Sequence, residues 1–348
     1  MQKFVRYLVL ALLSGITAEF LLGDQWLHGI PPTSQQIFEL VLFTIYYGSA
    51  AVLIREITRR TGRGWPTILL LAFAFGVIEE GILDQTLFNP DYLGNHLLAY
   101  GFIPGLAIGG PWTIYVLTLH VIWSMGAPIA IAEALFPGAV RSRGHGRAGI
   151  AVGGQVQAPW LGKVGLGVAT ALYLLGALGV FGITLISTGY AAPWWQLVLA
   201  ALVAAVSIVV ALRLPKRVAR PRSNPWVAGA IGLVVTSAFQ LVNYYVEKVA
   251  SPWISALLLL VILTGGVVLA ARLRLDVFGL AAGAVLTYSW LGLTKAIALG
   301  AFPAIEQGVL VLAELAVLAS VLLIRRRAEL RGSSPARRAD RVGTFTIN

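Results

Sequence analysis

Residues 65–88 read WPTILLLAFAFGVIEEGILDQTLF. Apart from Glu79, Glu80 and Asp84, the stretch is almost wholly apolar, and it exceeds the roughly 20 residues a helix needs to cross a bilayer. A charged side chain at the bilayer centre costs roughly 2.5–3.5 kcal/mol on insertion scales, so acids persist there mainly where they face a partner, a cavity or a working site. These three acids fall within six positions of one span. They mark a candidate site, and the rest of the chain gives it a setting.

The chain is 58% hydrophobic and only 12% charged, with a mean hydropathy of +0.82. A soluble domain carries about 25% charged residues to wet its surface, so the composition places the chain in a membrane. With 348 residues and no cysteine, it has room for about ten helices and none for a soluble catalytic domain, disulfides or thiolate chemistry. About ten spans can be drawn, over 4–23, 37–54, 65–88, 112–136, 164–187, 194–212, 226–245, 253–271, 277–301 and 304–324. The expected fold is an all-α, multi-pass helix bundle. Abundant Arg, Ala, Gly and Leu suggest a bacterial source, hence an integral protein of the bacterial cytoplasmic membrane.

The net charge of +11 follows topology. Alternating the spans puts every basic residue except Lys248 and Lys295 on one side, which the positive-inside rule makes cytoplasmic together with both termini. Nucleic acid is therefore not an expected partner; the bilayer is, with anionic lipid attracted to the basic loops and tail. Trp26, Trp65, Trp112, Trp160, Trp194, Trp195, Trp226 and Trp253 lie at or near span ends, as an interfacial belt requires. Lys3 and Arg6 before an apolar run also suit a signal peptide, but the run continues through Phe20 and the segment reads as a retained first span. Residues 1–136 form a polar-site part, 137–163 a Gly-rich basic loop, 164–324 an apolar six-helix part, and 325–348 a basic tail expected to be disordered. The Gly144–Gly149 stretch spells GxGxxG without a preceding strand, so a dinucleotide reading fails.

Depth follows from the rise of about 1.5 Å per residue. Glu80 and His120 both fall about 12 Å beneath the outer surface, on sequence-adjacent antiparallel helices. Asp84 lies one turn nearer the outside than Glu80 and on the same helical face, since i and i+4 align. Glu19, Glu39 and Lys295 come out about 6–8 Å deep by the same rise and form a supporting polar layer. His28 and His96 lie on outside loops as further candidate ligands. The candidate site is Glu79, Glu80, Asp84 and His120, with Glu80 and His120 as candidate ligands of a divalent metal such as zinc, for which imidazole and carboxylate are ordinary donors.

A glutamate pair in one membrane helix and a histidine in the next resemble the CAAX-processing and bacteriocin-processing family of intramembrane metalloproteases. That family carries EExxxR, then FxxxH, then HxxxN or HxxxD. Glu79-Glu80 and His120 match; Asp84 stands where the pattern has arginine, Val116 where it has phenylalanine, and no later membrane helix supplies a second histidine. The resemblance implies a hydrolase whose glutamates and histidine organise a water, with metal assistance, against a peptide or lipid-embedded substrate. The competing expectation is a cation-coupled small-solute transporter, which would need a polar path at the cytoplasmic side as well. A third is a membrane scaffold without small-molecule chemistry.

Overall fold

A computed structural model describes residues 2–25, 33–137, 140–141, 156–216, 223–245 and 251–332. Trp26, His28, His145 with its glycine-rich stretch, Lys248 and the tail beyond 332 lie outside the described residues. The elements are α1 (Gln2–Gly15), α2 (Ser34–Arg60), α3 (Trp65–Ile78), α4 (Gly110–Leu119), α5 (Ala127–Leu135), α6 (Lys163–Thr188), α7 (Trp194–Arg213), α8 (Pro225–Tyr245), α9 (Pro252–Leu273), α10 (Val277–Leu299) and α11 (Ala301–Gly332). Strand is confined to two-residue antiparallel pairs among the described residues: β1 (Phe102–Ile103) with β2 (Ile108–Gly109), and β3 (Val140–Arg141) with β4 (Val156–Gln157). The molecule is an all-α, multi-pass membrane bundle.

Nine of the described helical stretches are long and apolar enough to span a membrane. The expected first span is helical too, but α1 runs into a π-helical turn at Ile16–Phe20, and the stretch carries Lys3, Arg6 and Glu19 within 19 residues. Two further π turns interrupt spans: Glu79–Leu83 at the end of α3, and His120–Gly126 between α4 and α5. The stretch from α4 through α5 is the centre of the bundle, with 78% of its apolar window buried against 17% for α9. Peripheral helices show apolar side chains outward, Leu178, Val206, Leu257 and Leu312 among them, and these meet lipid. At the centre Trp123 is fully buried, stacked on Tyr288 with ring centroids 4.4 Å apart. Its indole N–H donates to the Ala284 carbonyl at 2.7 Å, removing the one polar group the ring carries.

Local chemistry explains several helix starts. Thr33 and Gln36 form a reciprocal capping box at α2, satisfying two otherwise orphaned amides. Asp276 caps α10 through the Gly279 amide at 2.9 Å and also binds Arg325 at 3.0 Å. That bridge holds α11 against α10, and α11 continues to Gly332, so residues 325–332, expected in the tail, are helical.

α8 and α10 run parallel at backbone contact. A methyl on Gly283 would stand 2.3 Å from the Gly229 carbonyl oxygen and 2.4 Å from the Leu233 amide nitrogen, so only the helices themselves can give way. Small residues permit such approach where dispersion, not hydrophobicity, drives helix association. Gly283→Ala should therefore lower stability by about 1–3 kcal/mol, read as a fall in thermal midpoint in detergent; an unchanged midpoint would refute this packing.

The arginine-rich end departs from the loop picture. Arg55 and Arg59 belong to α2 and are buried, so they are unavailable to anionic lipid. Arg59 grips Glu133 of α5 in a fork, Nε to Oε1 at 2.7 Å and Nη2 to Oε2 at 2.6 Å. Arg55 reaches Glu56 at 2.8 Å and Glu133 at 3.1 Å, and its guanidinium lies 3.5 Å over the Trp160 ring. Glu56 in turn accepts the Trp160 amide at 2.6 Å. The close of the long loop is thereby seated on the helix ends.

Candidate functional site

The three π turns meet. A π turn carries one extra residue per hydrogen-bonded ring and appears mostly as a single turn at functional sites. Here each one brings an ionisable group to the same place: Glu19 from the first, Glu79 and Glu80 from the second, His120 from the third. The i→i+5 bonds are explicit, Leu21 N–H to the Ile16 carbonyl at 2.9 Å and Asp84 N–H to the Glu79 carbonyl at 2.8 Å. Gly76 lets α3 press on His120, since a methyl there would stand 3.0 Å from the histidine Cβ.

The His120 ring is held between the two glutamates. Its Nε2 lies 2.6 Å from Glu80 Oε1, and its Nδ1 lies 3.3 Å from Glu79 Oε2 and 3.2 Å from Ser124 Oγ. Glu79, Glu80 and His120 are all buried. Tyr47 of α2 stacks parallel to the imidazole at 6.1 Å, and Phe75 meets it edge-on. The Tyr47 hydroxyl contacts Glu79 Oε1 and also Glu19 Oε1, the latter at 2.6 Å. A phenol has one proton to donate, so one of these two carboxyls must supply the second hydrogen bond. The Thr86 hydroxyl donates to Glu80 Oε2, and the Trp112 indole N–H points to Thr86 Oγ1 at 3.4 Å. Glu19, Tyr47 and Glu79 thus form one hydrogen-bonded group and His120, Glu80 and Thr86 another, the two meeting where Glu79 Oε2 lies 3.3 Å from His120 Nδ1.

Asp84 accepts the Thr184 hydroxyl of α6 at 2.6 Å, so its own hydrogen bond lies outside the group around His120. The expected polar layer also separates. Glu39 sits near the start of α2 with Gln35 at 3.0 Å, while Lys295 pairs with Asp24 at 3.2 Å beside the Tyr244 ring; only Glu19 enters the site. His96 is exposed and faces Asp91 at 3.1 Å. Tyr92, in the loop beyond Asp84, has its phenol pushed above the ordinary range by burial first and then by the negative field of Asp84 and Glu80, so it stays a neutral donor. Tyr47, Thr86, Ser124 and Trp112 are members that motif spacing does not reveal; the only signal was a hydroxyl or indole in apolar sequence that needs a partner.

The donor set does not fit a metal ion. No group of three or more His, Cys, Asp or Glu is disposed to hold one among the described residues. Glu80 Oε1 and His120 Nε2 are at hydrogen-bond distance, 2.6 Å, whereas two donors each about 2.0–2.1 Å from one tetrahedral zinc stand roughly 3.3 Å apart. No family model, curated protein or solved structure matches the chain.

Proposed function

We propose that this membrane protein is an intramembrane hydrolase in which Glu80 and His120 activate water against a peptide or lipid-embedded substrate. The observation that carries the reading is the meeting of three π turns, each delivering an acid or imidazole to one buried point. Proton transfer by positioned carboxylate and imidazole contributes about 10²–10⁴-fold to such reactions. Glu80 would take the proton from water as its oxygen attacks the substrate carbonyl, and His120 would return a proton to the leaving group. Thr86 orients Glu80, while Glu79 and Ser124 orient the imidazole from its other nitrogen. The resemblance to intramembrane proteases supports the same pair of roles, without their metal.

A proton-coupled carrier is favoured by one feature, the two hydrogen-bonded groups, Glu19 to Glu79 and His120 to Thr86, that meet at the Glu79–His120 contact. Against it stands the arginine-rich end, where Glu133 is locked to Arg59 and Arg55 and offers no open acid. The test compares the lipids and peptides of membranes expressing the wild type, Glu80→Gln and His120→Ala at equal folded levels. A species consumed by the wild type should persist in both variants; identical profiles would overturn the hydrolase reading. Substrate-dependent proton flux in proteoliposomes would favour the carrier.

A further inference from the structure

A cavity of about 240 Å³ opens between the segment preceding β1, α4, α8 and α9, at the end of the bundle opposite the arginines. Its lining includes Asn95, Tyr100, Trp112, Asn243 and Ser255. Ser255 is buried at its floor, bonded to the Tyr100 hydroxyl at 3.0 Å. Trp112 is shared with the buried site: one side of it lines the cavity and its indole N–H reaches Thr86, the partner of Glu80.

The lining selects a ligand class. Among the described residues it offers amides, hydroxyls and aromatic rings beside the apolar Leu97, Ala99, Pro111 and Leu259, and no Asp, Glu, Lys or Arg. Of these an anionic phosphate would find only His96, which already faces Asp91 at 3.1 Å. A cation would find no carboxylate among the described lining residues. What suits amides and hydroxyls together is a neutral group whose own hydroxyls both donate and accept, and the flat apolar faces of Trp112 and Tyr100 suit the C–H face of a ring. The volume falls below the roughly 300–1,000 Å³ of drug-sized sites, which matches a single ring. Exposed Trp253 and Tyr245 stand two positions in sequence from the lining residues Ser255 and Asn243 and are of the types that concentrate at headgroup level.

We propose that this cavity binds a neutral sugar ring, as carried by a glycolipid headgroup or a free saccharide, and presents what is attached to it to Glu80 and His120. Binding itself does not depend on the hydrolase reading; only the presentation step rests on it. The full chain is placed in phosphatidylglycerol nanodiscs containing monoglucosyl-diacylglycerol, and retained lipid is identified by native mass spectrometry. Methyl β-glucoside is titrated separately by tryptophan fluorescence.

Selective retention of the glycolipid, weakened about tenfold in Asn243→Leu and Ser255→Ala, is the expected result. Saturable binding of methyl glucoside with the same sensitivity would also support the site and assign a soluble source. Retention blind to the headgroup, with no glucoside binding, would overturn the proposal. So would binding unmoved in both variants while their thermal midpoints stay normal. His120→Ala should leave binding intact, so a glycolipid that is retained but never consumed would sink the hydrolase reading alone.

Discussion

Glu133→Ala is expected to be the most damaging single substitution outside the candidate site, lowering stability by about 3–5 kcal/mol. The reason is what it leaves behind. Arg59 loses both arms of its fork and Arg55 loses its second carboxylate, yet both guanidiniums remain buried. An unpaired buried charge is penalised far more than the intact pair is worth. Glu56 still holds Arg55 at 2.8 Å and the Trp160 amide at 2.6 Å, so the damage should centre on Arg59 and the α2–α5 contact. Arg59→Met in the same chain should then restore much of the loss, because the orphaned charge is removed with its partner. Thermal unfolding in detergent checks both; a Glu133→Ala variant as stable as the wild type would show that the fork contributes nothing.

That same cluster shows where sequence reading stops. Arg55 and Arg59 follow an apolar run and obey the positive-inside pattern, so they look like loop residues. Their pairing partner, Glu133, lies 74 positions away from Arg59, and nothing local in the chain announces it. Apolarity, length and charge alternation do disclose the bundle, because the bilayer demands that every spanning backbone satisfy itself within a helix. Depth is legible too: each residue advances a fixed rise along the axis, which is enough to set Glu80 level with His120. Azimuth is not. A face fixes where a side chain leaves the helix but not which helix it meets: Asp84, just past the π turn at Glu79–Leu83, accepts from Thr184 of α6, 100 positions away. Tyr47 was illegible for a different reason, since a phenol costs little in apolar sequence and reveals its role only when Glu19 and Glu79 arrive from other helices.

His120→Ala should reduce turnover by about 10²–10⁴-fold and also destabilise the protein, because the imidazole separates Glu79 from Glu80 and binds both. Loss of activity alone would therefore leave structure and chemistry entangled. A double-mutant cycle separates them. In Glu80→Gln the carboxylate charge goes while the amide oxygen can still meet Nε2. With His120→Gln as the second single variant, Glu80→Gln/His120→Gln replaces the pair by two amides that can hydrogen-bond across the same gap. Stability should recover toward the wild type in the double variant while turnover stays at the level of the worse single variant. The activity losses should also be non-additive, as expected of groups that act as one unit. If turnover instead returns with stability, Glu80 and His120 hold the π turns together and the chemistry lies elsewhere.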